Sequence, residues 1–194
     1  MGRMKDKMIE DGNDDADDIY DNYEIEQAEL EYFRQKAIDD IKAHYEFLLN
    51  QQLRHCVGPR EKLQAVAMHH LEFQETIWRA STETLPNLEV QVVIDGKNNC
   101  FVSTGSPGFV DFFEPPIGMS LPIRCWIHTH PFGAAYFSGT DIRTVSIWEP
   151  NMECAYVLGG EGHYGFWDSQ FNPKQLEIYL NNEPVKTQTW GEEE

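Results

Sequence analysis

A chain of 194 residues that is 41% hydrophobic and 12% aromatic is long and apolar enough to bury one core with an extension beside it, which excludes disorder throughout. Its formal net charge of -18 excludes a surface built to grip phosphate backbones, so no nucleic-acid partner is expected. About half of that charge is local, because residues 1–31 hold 12 acidic and 3 basic residues.

No apolar run approaches the roughly 18 residues a membrane span needs, and no basic-then-apolar leader opens the chain, so no membrane contact and a cytoplasmic location are expected. Cys56, Cys100, Cys125 and Cys154 are scattered without a Cys-x-x-Cys pair, which argues against a zinc knuckle or a disulfide framework. They read as small buried residues.

Residues 1–18 are too charged to order on their own and read as an acidic disordered tail. Residues 19–58 read as an amphipathic helical extension, with Leu30, Phe33, Ala37, Ile41, Tyr45, Leu48 and Leu49 at steps of three and four and Gly58-Pro59 as the stop. The apolar face of this long helix either packs on the domain that follows or pairs with a second copy in a homodimer; occlusion of a binding groove is a third role open to it.

A second helix is expected over about Glu61 to Ala80, presenting Leu63, Ala67, His70, Leu71, Ile77 and Trp78. His69 and His70 point about 100° apart on such a helix and do not converge on a metal. A β-hairpin follows, from Leu88–Ile94 through an Asp95-Gly96 turn to Cys100-Phe101-Val102, then a Gly/Pro-rich loop at 103–108. Further strands are expected at Cys154–Leu158 and His163–Trp167, a short helix at Gln175–Leu180, and a tail over 181–194. Residues 59–180 thus read as one mixed α/β (α+β) domain, a mixed sheet flanked by helices.

Within it, Ile123–Ile127 reads as a strand leading into His128-Thr129-His130. Period-two alternation puts both imidazoles on one side and Cys125 on the other. Ser138 and Asp141 open the next helix, Ile142–Trp148, with capping-box spacing that would explain both residues by itself. The same spacing lets the Asp141 carboxylate face the histidine pair. His128, His130 and Asp141 form a three-ligand set suited to Zn2+ with a fourth position left open, the pattern of a catalytic zinc.

His128-Thr129-His130-Pro131, followed by Ser138 and Asp141, resembles the signature of the JAMM metallopeptidases, also called the MPN-plus or Mov34/JAB family. The resemblance implies a cytidine-deaminase-like MPN/JAB fold and a zinc metallopeptidase or isopeptidase. It implies a protein or peptide substrate, often joined to ubiquitin or a ubiquitin-like protein. It also implies a catalytic glutamate upstream, in the context Glu-x-x-Gly-Leu-Leu-x-Gly. Glu89-Val90-Gln91-Val92-Val93-Ile94-Asp95-Gly96 aligns with that context, with Val92 where the family has glycine, and makes Glu89 the candidate. Separation from His128 favours Glu83 instead, and Glu75 is a more distant third.

By the same resemblance the glutamate moves protons and Ser138 hydrogen-bonds the oxyanion. The short stretch from Asp141 to Cys154 is more like stand-alone prokaryotic or viral members than ubiquitin-selective eukaryotic ones. Two alternatives stand beside the enzyme: a silent MPN-type binding scaffold, and a RadC-like domain, which shares a His-x-His-Pro run.

Overall fold

The computed structural model describes residues 14–55, 67–106, 110, 112, 114–160 and 162–191. Helix α1 (Asp14–His55) leads, and α2 (Leu71–Arg79) runs into a π-helical turn (Ala80–Thr84) closed by the Leu85 N–H on Ala80 O at 2.9 Å. Strands β1 (Val90–Asp95), β2 (Cys100–Thr104) and β3 (Ile123–Thr129) follow, then α3 (Gly139–Trp148) and a 3-10 turn (Glu149–Asn151). Strands β4 (Met152–Leu158), β5 (His163–Asp168), β6 (Gln175–Leu180) and β7 (Glu183–Thr189) complete the chain.

The seven strands form one mixed sheet in the order β2-β1-β3-β4-β5-β6-β7. The β3–β4 pairing is parallel and the others are antiparallel. A parallel pair needs a crossover, which α3 supplies. One face carries α1 and α2: Ala37, Ile41, Tyr45, Leu48, Phe73 and Ile77 pack with Val90, Val92, Cys125, Ile127 and Tyr156. The opposite face holds Val93, Trp126, Phe137, Val145, Val157, Trp167 and Leu176. Cys125 therefore does lie on the far side of β3 from Trp126 and the histidines.

The carboxyl-terminal part of the α1 apolar face is spent inside the molecule, while Ile25, Tyr32 and Phe47 are exposed. At the β1–β2 hairpin, Asp95 is fully buried and caps the turn, accepting from the N–H groups of Lys97, Asn99 and Ser120 and from Asn99 Nδ2. Among the described residues no helix is long and apolar enough to cross a membrane.

Four expectations need correction. Residues 14–18, expected in the disordered tail, are the first turns of α1, because a helix anchored at its packed end propagates through residues that would not start one. The second helix does not run unbroken to Ala80: His70 is extended (φ -73, ψ 129) and caps α2 by accepting from the Glu72 N–H. Gln175–Leu180 is strand β6, since Leu176 and Ile178 alternate with half-buried neighbours in period two and bury in the core. The expected tail contains β7, paired with β6 over six residues of Glu183–Thr189. Residues 1–13, and 56–66 with Cys56, Gly58-Pro59 and Leu63, lie outside the described residues.

Candidate metal centre

The end of β3 sets two imidazoles on one face, with His128 within the strand and His130 just past it. The His130 N–H still donates to Leu158 O of β4 at 2.8 Å, so the strand direction carries through the second histidine. An eight-residue span then returns the chain to the start of α3. There the Ser138 side chain accepts from the Asp141 N–H at 3.2 Å, and Asp141 Oδ2 accepts from the Ser138 N–H at 2.7 Å, a complete capping box. Capping and metal-facing geometry coexist, because Oδ1 faces His128 and the capping oxygen Oδ2 also lies beside His130.

Asp141 Oδ1 lies 3.2 Å from His128 Nε2, and Oδ2 lies 3.5 Å from His130 Nε2. Side-chain exposures are 0% for His128, 11% for His130 and 5% for Asp141, so water does little to solvate the group. One ligand atom from each falls within 4.8 Å of the others, and the three could hold a metal ion. His128 Nε2 is buried with Asp141 Oδ1 as its one polar neighbour, in a geometry too poor for a good hydrogen bond. A buried polar atom so weakly satisfied is costly, and a cation among these donors would satisfy it.

Burial pushes the His128 imidazole below its usual pKa, against the pull of Asp141, which favours the neutral, ligating form. Burial works the same way on His130, but the Asp141 hydrogen bond and the charges of Asp141 and Glu89 outweigh it and raise that pKa. Asp141 is held well below the carboxylate range: burial opposes this, and His128, His130 and Ser138 overcome it. Its place in the first turn of α3, at the positive end of the helix dipole, acts in the same direction.

Glu89 immediately precedes β1. Gln91 pairs with His128, so the antiparallel register sets Glu89 opposite His130 and on the same face. It is 6% exposed and lines one cavity of about 260 Å3 together with Val110, His130, Phe132, Tyr136, Ser138 and Asp141. Burial lifts its carboxyl to about 7, aided by Asp141 and opposed by His130 and by a hydrogen bond from the Val110 backbone. The structure brings Glu89, His128, His130, Ser138 and Asp141 together.

It does not bring Glu83 or Glu75. Glu83 sits exposed on the π-helical turn, paired with Arg79 at 3.0 Å, and lines a different cavity under α1. Glu75 is on the exposed side of α2. His69 and His70 also lie elsewhere, His69 bonded to the Tyr156 hydroxyl at 2.8 Å.

Several supporting residues carry no motif. The Trp126 ring stacks on His128 at 4.3 Å and 15°, held by its Nε1 donating to Gln91 Oε1 at 3.2 Å. Strand parity could have found both, because 126 shares a face with 128 and 91 pairs with it. Thr129 Oγ1 accepts from the Val90 N–H and donates to Ser81 Oγ, tying β1, β3 and the π-helical turn together behind the site. The Tyr136 ring sits edge-on to His130 at 5.3 Å, and Phe132 is 69% exposed at the rim. Neither could be placed without the loop's path. No protein-family model, curated protein or solved structure matches the chain.

Proposed function

We propose that this protein is a zinc-dependent metallopeptidase or isopeptidase of the JAMM/MPN-plus kind, with the cytidine-deaminase-like MPN/JAB fold. Its substrate would be a protein or peptide, including one joined to a ubiquitin-like partner, met in the cytoplasm. The observation that carries the reading is that Glu89 shares one cavity with His130 and Asp141, two members of a donor group that the fully buried His128 completes behind the cavity wall. A scaffold has no need of a buried carboxyl poised near neutrality beside three buried donors.

The donor types suit zinc. Zinc bonds of roughly 2.0–2.1 Å arranged tetrahedrally set ligand atoms about 3.3 Å apart; the two imidazole–carboxylate separations, each to a different Asp141 oxygen, are 3.2 and 3.5 Å, and the three donors as a group lie within 4.8 Å. Three protein ligands and one open position is the arrangement of catalytic rather than structural zinc. When bound, such an ion supplies Lewis acidity that makes water a nucleophile near neutral pH and polarises a carbonyl.

The chain's own residues supply the rest. Glu89, with its carboxyl at about 7, can take a proton from water and hand it to the leaving amine without a large energetic mismatch at either step. The Ser138 hydroxyl at the cavity wall can turn its O–H toward a carbonyl oxygen that gains charge. Val110, Phe132 and Tyr136 wall the cavity with apolar and aromatic surface, which suits an extended uncharged peptide segment and holds bulk water away.

Elemental analysis of the purified protein, run beside cleavage of linear and isopeptide-linked ubiquitin-like fusions, tests the reading. Stoichiometric zinc that is lost in His128→Ala, with cleavage lost in Glu89→Gln while zinc stays, is the expected result. Zinc without cleavage of any fusion or peptide moves the protein to the scaffold class, and absence of zinc removes the site altogether.

A further inference from the structure

We infer that Gln188, on the last strand of the sheet, is a positioning residue for the metal centre, acting through a single peptide plane on Asp141. The inference rests on the metal reading above.

Strand β7 is an edge strand, and its residues from Glu183 to Thr187 are exposed; Gln188 is the one residue within it that is partly covered. Register explains why. Gln188 pairs with Leu176, which is fully buried in the core on the α3 face, and residues directly opposite in an antiparallel pair share a face. The Gln188 side chain therefore turns under the sheet, toward the loop that joins His130 to α3.

There it meets Phe137 as a second strand would. The Phe137 N–H donates to Gln188 Oε1 at 2.8 Å, and Gln188 Nε2 donates to Phe137 O at 2.8 Å. The Trp190 ring lies against the Phe137 ring at 5.8 Å, and the Phe137 ring in turn packs on His128 at 6.0 Å. Both polar groups of one loop residue and its side chain are thus gripped by the carboxyl-terminal hairpin.

Phe137 O and the Ser138 N–H belong to the same peptide unit, which is planar and resists twisting. On one edge of that plane Gln188 donates to the carbonyl; on the other the Ser138 N–H donates to Asp141 Oδ2 at 2.7 Å. Fixing the carbonyl fixes the direction of the N–H, and the N–H fixes the carboxylate that faces both histidines. Polarisation along the chain of hydrogen bonds strengthens each link. Mutating partners that orient a metal ligand from behind typically weakens metal binding by about 10–100-fold.

The test uses the full chain with Gln188→Met, which keeps length and packing but removes both hydrogen bonds, and Thr189→Ala as the control on the same strand. Zinc affinity is read by chelator competition, site geometry by the visible spectrum of the cobalt(II) form, and hairpin integrity by amide exchange. Gln188→Met should bind zinc about tenfold more weakly, shift the cobalt spectrum, and speed exchange at Phe137 and Ser138 while the β6–β7 amides stay protected. Thr189→Ala should change none of these.

A folded Gln188→Met protein with the parent's zinc affinity and cobalt spectrum overturns the inference. If that variant releases the hairpin, Gln188→Glu carries the same two outcomes, since it keeps the acceptor for the Phe137 N–H and loses the donor to Phe137 O. A parent protein that binds neither zinc nor cobalt overturns the metal reading itself, and this inference with it.

Discussion

Gly159, the residue after β4, is where the loop between His130 and α3 touches the sheet. A Cβ there would lie 2.5 Å from Ala135 N, 2.9 Å from Ala134 C and 3.1 Å from Gly133 O, all backbone atoms that cannot rotate aside. Ordinary contact begins at 3.4 Å, so Gly159→Ala must push the loop by nearly 1 Å or open the end of β4. Overpacking of this kind costs about 1–3 kcal/mol. For a chain of this length each kcal/mol lowers Tm by about 2–4 °C, giving a fall between roughly 2 and 12 °C. The displaced segment leads directly to Phe137 and Ser138, so zinc affinity should fall as well. Gly160 is the internal control: nothing lies within 4 Å of its Cβ position, and the bond from its N–H to Gly133 O survives substitution. Differential scanning fluorimetry and chelator competition on both variants provide the measurement. Equal Tm values for Gly159→Ala and Gly160→Ala would refute the reasoning.

Other substitutions probe separate links. In metal-free protein, Glu89 is raised from an ordinary 4.5 to about 7, so the folded state holds its proton more tightly; the wild type should lose stability relative to Glu89→Gln as pH rises from about 4.5 through 7. A Tm difference between the two that is small at pH 4.5 and full at pH 8 is expected, and one independent of pH contradicts the raised carboxyl. Asp95→Ala should cost about 3 kcal/mol by urea titration at pH 7, because it strands buried donors of the hairpin turn. At Asp95 burial is outweighed by those hydrogen bonds and the pKa is lowered, so the cost should persist above 3.8 and shrink as pH falls through the lower folded value. Ser138→Ala should cost about 1 kcal/mol as a lost N-cap and lower Tm by about 2–4 °C, with zinc still bound through His128, His130 and Asp141.

The candidate metal centre was legible because its parts are local. His128 and His130 obey strand alternation, and Ser138 with Asp141 obeys the first turn of a helix, so each pair is fixed by backbone periodicity over a few residues. Glu89 stood out only through a resemblance, and it takes the β1–β3 register to set it opposite His130 while Glu83 lies elsewhere. The carboxyl-terminal hairpin was misread for a different reason. Leu176, Ile178 and Leu180 alternate as a strand should, but β7 exposes nearly every side chain and carries no apolar pattern at all. Its strand state comes from backbone pairing with β6, a long-range term that composition cannot register. The break at His70 was hidden likewise, because capping by an imidazole depends on where α2 docks, not on helical periodicity.

The face-to-face stack of Trp126 on His128 also gives the protein an optical gauge. An indole excited by ultraviolet light donates electron density to a cationic or metal-bound ring held 4.3 Å away at 15°, and its emission dims. The bond from Trp126 Nε1 to Gln91 Oε1 holds the indole in that stack. On the metal reading proposed above, loading would change the Trp126 share of the emission from the five tryptophans, and a chain keeping Trp126 alone would isolate that change.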